Sequence, residues 1–176
     1  MNEKDMDFLV NEYGESVYRY CKSITYTLDD AEDLYQQTYL KAFELQKKIK
    51  KEENPKAYLM SIATNLWKNH KSQYARRQRI APTISTEEEG VQVEDIKAEH
   101  DLLNQVVQNE LNDQIRSCVA KLPDKQRQVI VLFYAAQLSI EEIAKILRIP
   151  KGTVKSRLNK ARAMLKEEME VQGYGE

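Results

Sequence analysis

Only two cysteines, two histidines, five glycines and four prolines occur in the 176 residues, and each scarcity closes off a class of protein. Cys21 and Cys118 each stand within an apolar helical pattern. Buried free thiols are therefore expected, and not a disulfide framework. No paired-cysteine motif accompanies His70 and His100, so neither a metal site nor a cofactor is predicted. With so few glycines, helices are favoured over β-sandwiches and glycine-rich enzymes. The chain contains no P-loop, G-x-S-x-G, H-E-x-x-H or C-x-x-C pattern, which argues against an enzyme. No apolar run approaches the ~18 residues of a membrane helix, and no signal peptide opens the chain. Cytoplasm is the expected compartment. An excess of one charge is also missing, since 27 Lys and Arg face 28 Asp and Glu for a formal net charge of −1.

That balance hides an uneven distribution. Basic and acidic residues number 14 and 12 in residues 1–80, 1 and 7 in 81–101, and 12 and 9 in 102–176. The middle stretch also holds Pro82, Gly90, a Ser/Thr pair and three consecutive glutamates, with weak periodicity. It reads as a flexible acidic linker. The expected architecture is all-α: two small helical domains, 1–80 and 102–176, joined by the linker 81–101. The C-terminal domain is expected to contain a helix-turn-helix.

In the first domain a helix is predicted from Asp5 to about Thr27, with Leu9, Tyr13, Val17, Tyr20 or Cys21, and Ile24 on one stripe. Asp29 or Asp30 can cap the next helix, DAEDLYQQTYLKAFELQKKI, which turns Ala31, Leu34, Thr38, Ala42 and Leu45 inward. Asp30, Glu32, Asp33, Gln36 and Gln37 fall on its exposed first turns. Capping explains these carboxylates better than a metal or acid–base site, because helix N-termini favour acids and no histidine is near. After the charged break QKKIKKEEN, Asn54 caps a third helix and Pro55 takes its first position. Leu59, Ile62, Ala63 and Leu66 face the core. Trp67, His70 and Tyr74 lie at the stripe's edge among Lys68, Lys71, Arg76, Arg77 and Arg79. Aromatics mixed with cations suit unpaired bases beside a phosphate backbone, although Trp67 and Tyr74 are each equally well explained as core residues.

In the second domain the helical pattern resumes near Leu102, through Leu103, Val106, Val107, Leu111, Ile115, Cys118 and Val119 to Leu122. Pro123 starts another helix, QRQVIVLFYAA, apolar on most sides and thus the expected core centre. Ser139 and Glu142 then form an S-x-x-E capping box. Ile140, Ile143, Ala144 and Leu147 give the helix it opens an apolar face, and Pro150 breaks the pattern. A last helix from Lys151 buries Val154, Leu158, Ala161 and Leu165. Lys155, Ser156, Asn159, Lys160 and Arg162 are left on the opposite arc, with Arg157 at its flank. A bracing helix succeeded by one with a basic, amide-bearing face suits the major groove.

The segment Leu122 to Met169, and GTVKSRLNKAR within it above all, resembles the promoter-reading C-terminal domain of bacterial sigma-70-family factors. It is most similar to the extracytoplasmic-function (ECF) group. DAEDLYQQTYLKAF resembles the segment with which that group grips the clamp helices of RNA polymerase. PKAYLMSIATNLWKNHKSQYARRQR resembles the segment that melts and reads the −10 element. The resemblance implies a transcription initiation factor whose partners are core RNA polymerase, promoter DNA and an anti-sigma factor, acting in a stress response. It assigns polymerase binding to Asp30, Asp33, Leu34, Gln36 and Gln37. Reading and melting of the −10 element fall to Asn65, Trp67, Lys68, Lys71, Tyr74, Arg76 and Arg77. The −35 element falls to Lys151, Thr153, Lys155, Ser156, Asn159, Lys160 and Arg162. Departures from the family pattern are Tyr35 for an aliphatic residue, Gln37 for glutamate, and Gln137 and Arg148 for glycines. Without the resemblance, spacing and charge support a helical DNA-binding protein. A one-component helix-turn-helix regulator and an all-protein adaptor are then the rivals.

Overall fold

The computed structural model describes residues 3–45, 54–80 and 113–173, and every regular element among them is helical. The linker 81–101, the break at 46–53 and the helix expected to resume at Leu102 lie outside the described residues up to 112.

Helices α1 (Glu3–Ile24), α2 (Leu28–Glu44) and α3 (Pro55–Ile80) form the first unit. Their stripes meet as the spacing predicts: Val17, Cys21 and Ile24 of α1 are buried with Ala31, Leu34 and Ala42 of α2 and Leu59 and Ala63 of α3. Tyr39, Met60 and Thr64 are buried as well, so the apolar faces are wider than one stripe. The cap of α2 differs from expectation. Thr27, not Asp29 or Asp30, accepts from the Asp30 amide at 3.1 Å. α1 therefore ends at Ile24, and the two acids occupy the first turn of α2, where free amides favour negative charge. Asn54 caps α3 as expected, accepting from the Ala57 amide at 3.3 Å.

The second unit contains α4 (described over 113–120), α5 (Asp124–Ile130), α6 (Ile140–Leu147) and α7 (Lys151–Val171). The capping box of α6 is complete: Ser139 Oγ accepts from the Glu142 amide at 3.2 Å, and Glu142 Oε2 accepts from the Ser139 amide at 2.8 Å. Ile146, absent from the predicted stripe, is buried beside Ile143 and Leu147, while Ile140 and Ala144 are half-buried. Arg148 (φ 54°) and Gln137 (φ 56°) both adopt left-handed backbone. Each costs on the order of 1 kcal/mol relative to glycine. The turns close regardless, through bonds such as Ile149 N–H to Ala144 O at 3.1 Å.

The apolar pattern of α5 hides one feature. The helix continues through Val131–Ala135 as a π-helical turn, closed by Ala136 N–H to Val131 O at 3.0 Å. A π turn inserts one residue and shifts the side chains beyond it around the helix axis.

The two units share one cluster of buried apolar residues and also meet through polar contacts. Arg127 Nε donates to Ser23 O at 2.7 Å, and Gln128 Nε2 lies 3.1 Å from the Tyr20 hydroxyl. Tyr20 is fully buried and also bonds Thr64 Oγ1 at 2.7 Å. Burial pushes its phenol up to about 12 despite those bonds. Cys21 is a buried free thiol, and burial pushes it up to about 12 too, so it is packing and not a nucleophile.

Candidate nucleic-acid interface

α7 is held by its apolar side. Val154, Leu158 and Ala161 are buried, which turns Lys155, Ser156, Asn159, Lys160 and Arg162 outward as a set. Thr153 and Arg157 are half-buried at the arc's margin. Among the described residues neither Lys155 nor Lys160 makes an ion pair. Lys151 does: it bonds Glu141 at 2.7 Å, and that hydrogen bond holds the Glu141 carboxyl below its usual range. Ser156 donates its hydroxyl back to Thr153 O at 3.1 Å. The geometry therefore offers two lysines without an ion-pair partner and the Asn159 amide on one arc, with Glu141 of α6 paired to Lys151 beside it.

Over its last 13 residues, α3 carries Lys68, Lys71, Arg76, Arg77 and Arg79 and no acid. Tyr74 is 61% exposed. Trp67 is different: it is 7% exposed, stacked on His70 at 5.1 Å and met edge-on by Tyr26 at 5.7 Å. Its Nε1 is buried without a hydrogen-bond partner among the described residues. Two cations of this helix touch the second unit. Lys71 pairs with Asp124 at 2.8 Å, and Lys68 donates to Leu147 O, the carbonyl end of α6, at 3.2 Å. Burial, with the nearby charges of Arg148 and Arg157, lowers Lys68 below the usual lysine range. Asn65 is half-buried.

On α2, Asp33, Gln36 and Gln37 are exposed and Asp30 is half-buried. Gln37 donates to Asp33 at 2.7 Å, which ties the departing residue to the acid it stands beside. Leu34 is 4% exposed, so it supports this face from behind and does not present itself to a partner. Sequence reasoning missed Leu40, which is 67% exposed, and Phe43, also exposed. With Asp33 and Gln36 they continue one ridge at steps of three and four. The signal was available, because both positions fall outside the buried stripe of α2.

A helix-turn-helix with an outward basic arc, joined to a helical unit that carries a second basic face, defines a DNA-binding protein of two helical domains. Its relatives narrow the class. Residues 9–78 match Sigma-70 region 2, and residues 112–165 match Sigma-70, region 4. The chain is 32% identical over 171 residues to ECF RNA polymerase sigma factor SigW of Bacillus subtilis (strain 168), covering 92% of this chain and 87% of the relative. It is 30% identical over 158 residues to ECF RNA polymerase sigma factor EcfG of Rhodopseudomonas palustris (strain TIE-1), covering 90% and 81%. Among solved structures it resembles the sigma factor RpoE in complex with the anti-sigma factor NepR from Bartonella quintana. The TM-score is 0.76 at 26% identity, covering 96% of this chain and 98% of that one. The chain belongs to the ECF group of sigma-70-family RNA polymerase sigma factors. It is a transcription initiation factor that directs RNA polymerase to promoters, and not an enzyme.

Proposed function

We propose a division of that work along the chain. Residues 1–80 bind core polymerase and open the −10 element, residues 81–101 tether, and residues 102–176 read the −35 element. The observation that carries this reading is the acid-free, outward arc of α7 above a buried apolar seam. Lys155, Ser156, Asn159 and Lys160 lie in the first three turns, the end that enters a groove. Lys151 and Thr153 flank the entry, and Arg162 stands two turns beyond Lys155 on nearly the same line, about 10.5 Å further along the axis. That distance favours base edges for the first four and a backbone phosphate for Arg162. On α3, Lys68, Lys71, Tyr74, Arg76 and Arg77 form the surface for the −10 strand. Asn65 stands at the strand-separation point, and Trp67 braces them from the core. On α2, Asp33, Gln36, Gln37, Leu40 and Phe43 dock on polymerase, with Asp30 at the edge. An anti-sigma factor is the remaining partner, in keeping with the complex in which the neighbouring RpoE was solved. Among the described residues no helix is long and apolar enough to cross a membrane, and the cytoplasm is where such a factor meets polymerase.

Run-off transcription with core polymerase and a promoter library tests the assignment and yields the promoter. No initiation from any member would overturn it. On the selected promoter, Lys160→Ala is expected to relax preference within the −35 element by roughly 1–3 kcal/mol of discrimination. Arg162→Ala is expected to weaken selected and scrambled −35 duplexes alike. Binding to both duplexes across a salt series separates the two effects, and full discrimination in Lys160→Ala would remove that residue from base reading.

Lys68 and Lys71 meet the second unit in the packed arrangement, so the −10 strand reaches them only after the units part. Asp124 is the centre of this seam. Burial raises its carboxyl, but the Lys71 bond and charge, Arg127 and the Tyr26 hydroxyl outweigh burial and hold it below its usual range. A depressed carboxylate stabilises the packed form above its ordinary pKa, and the contribution is lost as pH falls through the lowered value. Asp124→Asn at neutral pH should therefore give a larger radius of gyration by solution scattering. The wild type should keep its dimensions down to about pH 5 and expand only below the ordinary carboxylate range of about 4. Equal dimensions for variant and wild type at neutral pH would remove Asp124 from the seam's stability.

A further inference from the structure

Arg162 is held unusually firmly for an exposed cation. Its Nε donates to the Tyr134 hydroxyl oxygen at 2.8 Å, and one terminal nitrogen donates to Asn159 Oδ1 at 3.3 Å. The guanidinium carbon lies 5.6 Å from the ring centroids of both Phe133 and Tyr134. Those rings are adjacent in sequence and meet edge to face at 4.9 Å. In a regular α-helix neighbouring side chains point about 100° apart. Here both lie within the π turn Val131–Ala135, which brings successive side chains somewhat closer in direction. Tyr134 is 54% exposed, so packing alone gives no reason for a large aromatic there. None of the ion pairs among the described residues involves Arg162. The cage orients the cation without neutralising it.

We infer that Tyr134 is a positioning residue for promoter DNA: the π turn aims its hydroxyl at Arg162 and fixes that guanidinium for a backbone phosphate beside the −35 element. The ligand class is a DNA phosphodiester, and the role carries no base specificity. A free arginine loses rotamer freedom on binding, and a guanidinium already fixed by hydrogen bonds and held beside two rings loses less. This inference rests on the proposed −35 role of α7.

The test is a double-mutant cycle in the full-length chain, read as affinity for a duplex bearing the selected −35 element and for a scrambled duplex across a salt series. Tyr134→Phe keeps the rings and removes only the hydroxyl. It should weaken both duplexes about 3- to 10-fold, the size of one hydrogen bond. Arg162→Ala should weaken both and lower the slope of log affinity against log salt by about 0.9, one phosphate contact. Adding Tyr134→Phe to Arg162→Ala should then change nothing further, because the hydroxyl acts through the guanidinium. Unchanged melting temperature in Tyr134→Phe would separate positioning from a fold defect. If Tyr134→Phe binds as wild type while Arg162→Ala is weakened, the inference fails and the −35 reading stands. The inference fails alone likewise if the two effects add. If Arg162→Ala itself binds as wild type, the proposed phosphate contact fails and takes the inference with it.

Discussion

Trp67→Ala is expected to lower stability by about 3–5 kcal/mol, the range for truncating a buried aromatic. The ring fills space between His70 and Tyr26 at the seam side of α3, and alanine leaves a cavity there. The unpartnered Nε1 sharpens the prediction. A buried donor without a partner is itself unfavourable by about 1–3 kcal/mol. Trp67→Phe removes that donor while keeping most of the ring, so it should be much less destabilising than alanine. Denaturant unfolding of the three proteins measures this. The same variants separate packing from DNA melting. Trp67→Phe is expected to transcribe from duplex promoters and from templates with a pre-opened −10 bubble in the wild-type ratio. A loss confined to duplex templates, in a variant that remains folded, would assign the indole to strand opening instead of to the core.

The second large effect is expected at α2. Asp33→Arg reverses a charge on an exposed ridge without touching the buried stripe of Ala31, Leu34, Thr38 and Ala42. The fold should persist, since surface substitutions away from special features usually stay within about 0.5 kcal/mol. The loss of one Gln37–Asp33 hydrogen bond is exposed and therefore small. Against polymerase the change should be severe, because like charges brought together across an interface cost several kcal/mol. Core-polymerase affinity should fall at least about tenfold, equivalent to 1.4 kcal/mol. Leu40→Ala should weaken it less, through lost apolar contact. Native helicity with wild-type affinity in both variants would take this ridge off the polymerase surface. A selective loss in Leu40→Ala would instead shift the contact towards the Leu40–Phe43 end.

The sequence by itself determined whatever depends on spacing along one helix. The arc Lys155, Ser156, Asn159, Lys160 and Arg162 emerged as predicted because Val154, Leu158 and Ala161 repeat with the helix period and must be buried. The Ser139–Glu142 box and the Asn54–Pro55 start are equally local, since each is settled within three residues. The cap of α2 marks the limit of such rules: three residues near the turn can cap, and where α1 stops chose Thr27. Tertiary structure decided everything that depends on what a face meets. Trp67 was equally a stacking aromatic or a core residue by pattern; His70 lies one turn along its own helix, and only the approach of Tyr26 and the rest of the core buried it. Lys68 and Lys71 read as free cations on α3 until the second unit set Leu147 O and Asp124 against them. The π turn that points Phe133 and Tyr134 together at Arg162 is invisible in VIVLFYAA, because an apolar run has no period from which to detect one inserted residue. Periodicity constrains the direction a side chain takes from its own helix axis, whereas burial, pairing and desolvation depend on neighbours whose distance along the chain carries no sequence signal.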